Sequence, residues 1–597
     1  MAELCLAIIP LCTKLLSECL HGYGLFVDAK DLGRTSQKLF WKFKIQEARL
    51  RIWAREWGLI GDEQGRQIAQ LRDMDDYNIV TETLVRLSQL FQDFEQLQTR
   101  YGLAPAAETQ NHQGRPLWRA PLDEIAARPR AGGPTVLSVH AALANDKNLD
   151  NLARRDLEKG KERDRTATIA EKARWAVADR SRFETMIKEL QDYNDGLYCL
   201  LSSIERRRLR QALAPSVIPE QQGAAAVEDI RNAAGEYPDL ATVANLAAQR
   251  LRIGGQGSAA AITAAAGTHP KLQIEGHRVV FDLSVPGNDA LAQLGRALAS
   301  YLDTESGASR RVLVEWKLYD KDVGEAVKQE HLQRLRELAS LLHVGSKPPL
   351  LRVPRCLGFV ADDWHPRIGF VFDYASDTAP WSLRHVLGGC QAVPHVGDRF
   401  RLAYQLSLSL GILHTAGWLH KGIRSENIIF SSPRPSPGTT TAPQLDEPQL
   451  VGFEYTRPNT PAAISDPIRD AGLERRLYWH PQCMDSEGRP RTRFEPALDV
   501  YALGVVLLEV GFWRRIDEFW HEEYSGRNDR FVKHLQNFYA PMLGAKMGKM
   551  YMEVVLACLS GEYRNAAGGR VDGDSISHTE GQGFHWAVVN KLSKLVA

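Results

Sequence analysis

The sequence has almost no excess of charge, because 74 lysines and arginines stand against 73 aspartates and glutamates, for a formal net charge of +1. A chain this close to neutrality has no global field that attracts nucleic acid, so no nucleic-acid partner is predicted. Cysteine is also scarce, and its eight residues form neither a disulfide framework nor a C-x-x-C pair typical of zinc or redox sites. The N-terminus lacks the basic region and cleavage site of a secretory signal. These absences favour a cytoplasmic protein without structural disulfides or metal.

The length and composition of the chain indicate several globular domains. A chain of 597 residues is too long for one hydrophobic core, so two or three domains are expected. We predict a helical bundle over residues 1–215 with a long loop at 102–150, and a linker rich in alanine and glycine at 216–270. Strand patterns that begin near residue 271 predict an α+β domain over 271–597.

Residues 4–27 form a mostly apolar segment whose only full charges are Lys14 and Glu18. About 20 apolar residues cross a bilayer as a helix, but these two charges and Pro10 argue against a constitutive span. Two interpretations remain open, a buried first helix of a bundle and a segment that is stored in the bundle and released into membrane. The residues predicted to carry membrane activity are Leu4, Leu11, Leu15, Leu16, Leu20 and Phe26.

Three more helices are predicted from apolar residues spaced three and four apart. They cover residues 28–58, roughly 64–101, and a seam that runs from Phe183 to Ile204. Asn194 interrupts this seam, either as a buried residue that selects helix register or as a solvated notch. Four arginines are predicted at the end of the same helix, where cations suit the helix dipole, with a lipid-headgroup patch as the alternative. They are Arg206, Arg207, Arg208 and Arg210.

These helical patterns carry a family resemblance. Residues 33–59 and 173–201, with the phrases Gly33-Arg34, Ala48-Arg49-Leu50 and Lys172 to Trp175, resemble the HeLo, or prion-inhibition-and-propagation, domain of filamentous-fungal incompatibility proteins. The resemblance implies a helical bundle that self-associates and whose N-terminal segment can insert in membrane and kill the cell.

A second resemblance centres on residues 419–430, which read L-H-K-G-I-R-S-E-N-I-I-F. This stretch is similar to the catalytic loop of protein kinases, H-R-D-L-K-x-x-N. His420 and Asn427 stand in register with that motif, whereas Gly422 replaces the catalytic aspartate. A glycine can neither accept a proton nor bind a cation, so the resemblance implies a two-lobed kinase-like fold without a catalytic base.

Further landmarks of the kinase pattern flank this loop in order. Gly452 stands where the metal-binding aspartate of D-F-G is expected, and Asp499 matches the buried aspartate that braces the catalytic loop. Lys317 matches the lysine of the V-A-I-K strand, and either Glu330 or Glu337 could pair with it. The glycine-rich phosphate loop is missing. The resemblance therefore implies a pseudokinase, with Lys317 as the one nucleotide contact, no metal and no cofactor.

Our leading hypothesis is a non-catalytic signalling or cell-death protein, in which a pseudokinase regulates a membrane-active bundle. This architecture is similar to that of mixed-lineage-kinase-like necroptosis effectors. The expected partners are a second copy of the chain, an anionic membrane that recruits the cytoplasmic protein on activation, and an upstream signalling protein. One alternative is an atypical active kinase that uses Glu426 or Glu454 for metal and base. The other is an interaction scaffold with no membrane activity.

Overall fold

The computed structural model describes most of the chain and divides it into two compact units. One unit comprises Met1–Leu213, Asn232–Glu236 and Gly568–Ile576, and the other comprises Ala214–Arg231, Tyr237–Ala567 and Ser577–Ala597. The described residues are 2–24, 34–61, 73–101, 103–105, 175–177, 179–218, 223–254, 272–281, 288–303, 307–318, 338–343, 350–362, 364–374, 376, 379–389, 392–431, 444–459, 472–483, 494–525, 527–565, 570–571, 574–575 and 580–596.

The first unit is mainly helical. Its helices are α1 (Ala2–Gly24), α2 (Arg34–Trp57), α3 (Met74–Gln92), α4 (Phe94–Thr99), α5 (Arg180–Cys199) and most of α6 (Ser203–Val217). The next helix, α7 (Ala224–Ala233), belongs mainly to the second unit. Two antiparallel strands, β1 (Leu103–Pro105) and β2 (Trp175–Val177), lie between α4 and α5 in sequence. Large aromatic side chains fill the core, and those exposed by less than 2% include Tyr23, Phe43, Trp53, Trp57, Tyr77 and Phe183. No helix in the described part of the chain is both long and apolar enough to cross a membrane.

The helix predicted over residues 64–101 is two helices in its described part. Asp93 lies between α3 and α4, where its backbone N–H donates to Gln89 and its side chain accepts the backbone N–H of Gln96. An aspartate that accepts such a bond satisfies the first turn of a new helix, so the chain restarts there. The apolar spacing continues across the break, which is why the pattern alone predicted one helix.

The seam helix begins at Arg180, shortly before the predicted seam, and ends before the predicted end at Ile204. Asp179 caps α5 by accepting the backbone N–H of Arg182, and residues 175–177 before it form strand β2 instead of helix. Their partner β1 falls inside the region predicted as a loop from residue 102. The other end stops at Cys199, so Ile204 belongs to α6 and is 40% exposed.

The four arginines predicted at a helix C-terminus lie instead in the first two-thirds of α6. Arg208 forms an ion pair with the buried Glu56 at 3.0 Å. Within the seam, Asn194 is fully buried and donates to the backbone and side-chain oxygens of Gln46 at 3.1 and 3.0 Å. Of the two interpretations of Asn194, the structure shows the buried one.

Besides most of α7, the second unit contains helix α8 (Pro238–Gly254) and a six-stranded sheet in the order β3-β7-β8-β6-β5-β4. Neighbouring strands are antiparallel except β3 and β7. Its strands are β3 (Gln273–Ile274), β4 (Val279–Phe281), β5 (Arg296–Leu302), β6 (Ser309–Leu318), β7 (Cys356–Ala361) and β8 (Arg367–Asp373), with helix α9 (Asn288–Gln293) between β4 and β5. Glu330 and Glu337, the two candidate partners of Lys317, lie outside the described residues.

Helices and short strands make up the rest of this unit. The helices are α10 (Leu383–Gly389), α11 (Val396–Thr415), α12 (Leu473–Arg476), α13 (Pro496–Phe512), α14 (Asn528–His534), α15 (Ala540–Met547), α16 (Lys549–Ser560), α17 (Glu580–Phe584) and α18 (Lys591–Val596). The strands are β9 (Trp381–Ser382), β10 (Trp418–Leu419), β11 (Ile428–Phe430), β12 (Gln449–Leu450) and β13 (Arg457–Pro458), while β14 (Arg570–Val571) and β15 (Asp574–Ser575) belong to the first unit. The C-terminal region is therefore a mixed α+β unit, as predicted. Helix α13 is buried along most of its length and forms the centre of its helical part.

Candidate functional site: a closed cleft and the N-terminal helix

The loop at residues 420–427 is held by Asp499 of helix α13. The Asp499 carboxylate is fully buried and accepts the backbone N–H groups of His420 at 2.7 Å and Lys421 at 2.8 Å. His414 approaches the same carboxylate with its Nε2 atom at 3.2 Å. Lys421 has a φ of 63°, a left-handed conformation that costs a non-glycine residue about 1 kcal/mol. The bonds to Asp499 compensate for that strain and fix the course of the loop.

Gly422 and Gly452, which the sequence resemblance aligned with the two kinase aspartates, lie against each other. A Cβ atom on Gly422 would lie 2.7 Å from the backbone oxygen of Gly452, which cannot move easily. Gly452 has a φ of 92°, and a Cβ atom there would lie 2.0 Å from Nδ2 of Asn427. Neither position has room for an aspartate in this arrangement, so the glycines are required by packing as well as being chemically inert.

A buried ion pair joins the sheet to this loop. Arg296 on β5 and Glu315 on β6 are directly paired across the strands, and their side chains are only 2% and 3% exposed. The Arg296 Nε atom lies 3.2 Å from Glu315 Oε2. Glu315 also accepts the backbone N–H groups of Gly452 at 2.9 Å and Phe453 at 2.6 Å. A charged pair this deeply buried is stable only because each group has further partners.

The other end of Arg296 reaches the loop. Its Nη1 donates to the backbone oxygen of Glu426 at 3.1 Å, and its Nη2 donates to Oδ1 of Asn427 at 2.5 Å. Asn427 in turn donates from Nδ2 to the backbone oxygen of Gly422 at 2.7 Å. Both the oxygen and the nitrogen of the Asn427 side-chain amide are therefore hydrogen bonded, and the oxygen accepts its bond from the Arg296 guanidinium. We call the place where strands β5 and β6 meet the loop at residues 420–427 the cleft. Arg296, Glu315 and Asn427 hold it together, and we call them the cleft clamp.

The sequence interpretation missed Arg296 and Glu315 and selected Lys317 on the same strand. Lys317 pairs with Ile368 near the end of β6 and is partly exposed. Glu315 is the residue of this strand whose side chain bonds to the Gly452 and Phe453 backbone. One signal in the sequence could have identified Glu315, because it is a single charge within the apolar run V-L-V-E-W. A charge in a strand that is buried on both faces needs a partner.

The two carboxylates considered as substitutes for the missing aspartates are held by arginines. Glu426 lies 3.1 Å from Arg424 Nε and 3.5 Å from Arg384 Nε. Glu454 lies 3.7 Å from Arg424 Nη2. Burial, and after it the charge of Glu315, raises the pKa of Glu454 above its ordinary value. These pairings direct both carboxylates toward arginines.

His420 is a structural residue of the loop. Burial lowers the pKa of His420 to about 4, so the ring is neutral near pH 7. Its Nδ1 accepts the backbone N–H of Gly422 at 3.1 Å, which places the ring proton on Nε2. The ring packs against Phe453 with centroids 4.8 Å apart, and Phe453 in turn lies 6.3 Å from Phe372. An apolar stack therefore runs from the loop to strand β8.

The N-terminal helix α1 buries one face against α3. The buried residues on this face are Ile8, Cys12, Leu16, Cys19, Leu20 and Tyr23. The Cys12 thiol lies 3.4 Å from the Thr81 hydroxyl, and the Cys19 thiol donates to the backbone oxygen of Leu84 at 3.4 Å. A Cβ atom on Gly22 would lie 2.4 Å from Cγ of Phe91, so the two helices approach closely at this glycine.

The opposite face of α1 is partly open to solvent. Leu11 and Leu15 are half-buried, while Pro10, Lys14 and His21 are exposed. Of the six residues predicted to carry membrane activity, Leu16 and Leu20 therefore serve the core of the bundle and Leu11 and Leu15 lie at its margin. The side chain of Leu4 and all of Phe26 lie outside the described residues.

Comparison with known families identifies the N-terminal part. Residues 4–232 match the HeLo family model, described as prion-inhibition and propagation. The resemblance inferred from the helical patterns is thus confirmed for this region, which spans α1 to α6 and most of α7. No curated protein matches the chain.

Proposed function

We propose that this chain is a non-catalytic signalling protein of the cell-death class, in which a pseudokinase domain restrains a membrane-active HeLo bundle. The observation that carries the proposal is the joining of a HeLo region to a cleft in which Arg296 occupies the amide oxygen of Asn427. In an active kinase, the corresponding asparagine holds a magnesium ion. Here a guanidinium provides the positive charge instead.

Three features of the second unit support a pseudokinase. The loop from His420 to Asn427 follows an apolar helix and is braced by Asp499, as the kinase resemblance implies. Gly422 and Gly452 supply no carboxylate, and their close contact leaves no space for one. Phosphoryl transfer depends on positioning and charge neutralisation, and loss of one such group typically costs about 3 to 4 kcal/mol of barrier. This fold would therefore act by changing conformation.

The structure of α1 supports a stored membrane segment. Its apolar face packs on α3 mainly through non-directional contacts, and its half-buried Leu11 and Leu15 lie at the edge of the bundle. Burying apolar area contributes about 25 cal/mol per Å², whether the new environment is protein or lipid. A helix whose apolar face is held this way can move from protein to lipid without a large loss of free energy. Partner binding to the kinase-like unit would shift the balance.

The test is dye release from vesicles that contain phosphatidylserine, measured with the purified full-length chain. Gly22→Ala should loosen α1, because the added methyl group would collide with the Phe91 side chain of α3 and push the two helices apart. We expect the wild type to be silent and this variant to leak. Arg296→Lys keeps the charge of the clamp but loses the forked contacts of the guanidinium, and should also increase leakage if the second unit restrains the first.

The release of α1 has a built-in reporter in Cys12 and Cys19, which are fully buried. Burial raises the pKa of the Cys12 thiol to about 11 and that of Cys19 further still, so both should resist alkylation until α1 leaves the bundle. The exposed Cys199 provides the reference rate. Mapping the labelled peptides then measures release separately from leakage.

Two further variants decide whether released α1 acts on membrane. Adding Leu11→Asp and Leu15→Asp to Gly22→Ala should preserve cysteine labelling and abolish leakage, because two charges oppose insertion. Ile79→Asp, which changes a residue of α3 that is 48% exposed, is the matched control and should leave leakage intact. Labelling of Cys12 without any leakage would contradict membrane activity and favour a scaffold.

A further inference from the structure

A ridge of exposed apolar side chains crosses the second unit along helices α14 and α15. Phe538 is 55% exposed and Met542 is 45% exposed, although both side chains are large and apolar. Pro541 and Ala545 are exposed beside them. With the exposed lysines at each end, the ridge consists of Lys533, Phe538, Pro541, Met542, Ala545, Lys546 and Lys549.

The backbone between the two helices explains why these side chains share a face. Residues Leu535–Tyr539 form a π turn, which takes more residues per turn than an α-helix and so shifts the side chains that follow. Leu535 and Leu543 on the opposite face are fully buried and anchor the segment to the unit. The π turn thereby allows the inner face to stay packed while Phe538 and Met542 point outward.

The charge of the ridge is of one sign. Residues 533–549 contain three lysines, Lys533, Lys546 and Lys549, and no aspartate or glutamate. The side chain of Lys549 is 77% exposed and lies 3.8 Å from Glu553, which also accepts from Lys591 at 2.9 Å. Beyond the N-terminal end of the ridge, Glu523 pairs with Arg530, and Asp529 lies in the first turn of α14. Of these acidic neighbours, Glu523 is thus paired with Arg530 and Glu553 with Lys591 as well as Lys549.

We propose that this ridge is a peripheral docking surface for a membrane that contains anionic lipid. Phe538 and Met542 would enter the interface between headgroups and acyl chains, and the flanking lysines would reach lipid phosphates and carboxylates. A protein partner fits less well, since a stable interface needs about 800 Å² from each side and the ridge has only two large apolar side chains. The proposal does not rest on release of α1, because the ridge is exposed without any movement.

The test is flotation of the full-length chain with phosphatidylcholine vesicles, with and without phosphatidylserine, at low and high salt. We expect binding only with phosphatidylserine, weakened by salt. A variant with Lys533→Gln, Lys546→Gln and Lys549→Gln should lower the apparent partition coefficient about a hundredfold at low salt, as expected for three lysines near an anionic surface. Phe538→Ser with Met542→Ser should lower it at least about tenfold.

Matched controls use exposed residues elsewhere. Trp364→Ser removes a larger apolar side chain that is 87% exposed, and Lys38→Gln with Lys188→Gln removes two exposed lysines of the first unit. Both controls should float as the wild type does. Circular dichroism confirms that the ridge variants fold.

The outcomes separate this proposal from the function proposed above. Adding Leu11→Asp and Leu15→Asp to Gly22→Ala should abolish the dye release of Gly22→Ala while the protein still floats, which would support the ridge independently of α1. Wild-type flotation that ignores phosphatidylserine, or that survives both ridge variants unchanged, would overturn the proposal. Failure of the wild type to float at low salt would overturn it equally and favour a protein partner at the ridge.

Discussion

The two units use opposite kinds of contact at the points that matter for the proposed function. Helix α1 is held on α3 by apolar side chains, a close approach at Gly22 and weak bonds from the Cys12 and Cys19 thiols. The cleft is held by Arg296 and Glu315, both charged and almost fully buried. One contact is non-directional and tolerates a change of surroundings, whereas the other depends on every partner being in place.

This difference indicates where each unit can act as a switch. Apolar contacts lose strength gradually as surfaces separate, and in the proposed function α1 would leave the bundle and bury the same face in membrane. A buried charge pair has no comparable intermediate, because either ion left alone in the interior carries a large desolvation cost. In the proposed function, the clamp would favour two discrete arrangements of the cleft, the closed one that the structure shows and one open to water. A two-state element of this kind is what a regulatory partner can bias.

The largest expected effect comes from breaking the clamp. Arg296→Ala leaves Glu315 without its cation and Asn427 Oδ1 without its donor, which should cost about 3 to 5 kcal/mol in the stability of the second unit. Because two units need not unfold together, the measurement is hydrogen exchange at the amides of Gly452 and Phe453, which donate to Glu315. Exchange at these amides as slow as in the wild type would show that the clamp does not hold the cleft.

A double variant distinguishes the loss of a pair from the burial of a lone charge. Arg296→Met with Glu315→Leu replaces both ions by apolar groups of similar size, and should cost less than Arg296→Ala alone. Equal or larger destabilisation would mean that the hydrogen bonds to Asn427 and to the Gly452 and Phe453 backbone matter more than the charge pair. Both variants are compared by hydrogen exchange at the amides of His420 and Lys421, which donate to Asp499 and keep their acceptor in both proteins.

The contrast between the units also explains what the sequence could predict. Asp499, Gly422 and Gly452 belong to motifs whose order and spacing along the chain indicate their neighbours, and the structure brings them to one loop. The clamp escaped prediction because Arg296 and Glu315 bond to residues more than a hundred positions later in the chain. A local sequence pattern gives no information about contacts between residues this far apart in the chain. The helices were predicted from apolar spacing. Asp93 ends one helix and caps the next without changing that spacing, so the break could not be predicted from it.

An intermediate effect is expected from a buried carboxyl group behind the cleft. Glu509 is fully buried and accepts the Tyr478 hydroxyl at 2.8 Å and the backbone N–H of Ile516 at 2.8 Å, with Ser425 and the charge of Arg384 nearby. Burial raises the pKa of Glu509 from its ordinary 4.5 to about 8. The folded state therefore keeps a proton that the unfolded state releases between these pH values. Its stabilising contribution is complete below pH 4.5 and is lost as pH rises toward 8.

Glu509→Gln tests this dependence, because an amide keeps an oxygen acceptor and does not ionise. The stability difference between wild type and variant should shift by roughly 3 kcal/mol, against the wild type, as pH rises from 5 to 8. Urea unfolding at several pH values measures that difference. His420, whose lowered pKa produces the opposite slope on the acid side, is present in both proteins and cancels. A difference that does not change with pH would mean that Glu509 ionises normally.

The smallest expected effect comes from an ion pair of nearly the same length on the surface of the first unit. Lys42 Nζ lies 3.1 Å from Glu184 Oε1, and the two side chains are 30% and 59% exposed, whereas the 3.2 Å pair of Arg296 and Glu315 is almost fully buried. Water and salt screen the exposed pair, so Glu184→Gln should change stability by about 0.5 kcal/mol or less. A double-mutant cycle on Lys42 and Glu184 should likewise give a coupling of no more than about 0.5 kcal/mol, and added salt should remove it. A coupling as large as that of the clamp would show that distance, and not burial, sets the strength of both pairs, and the distinction between the two units would fail.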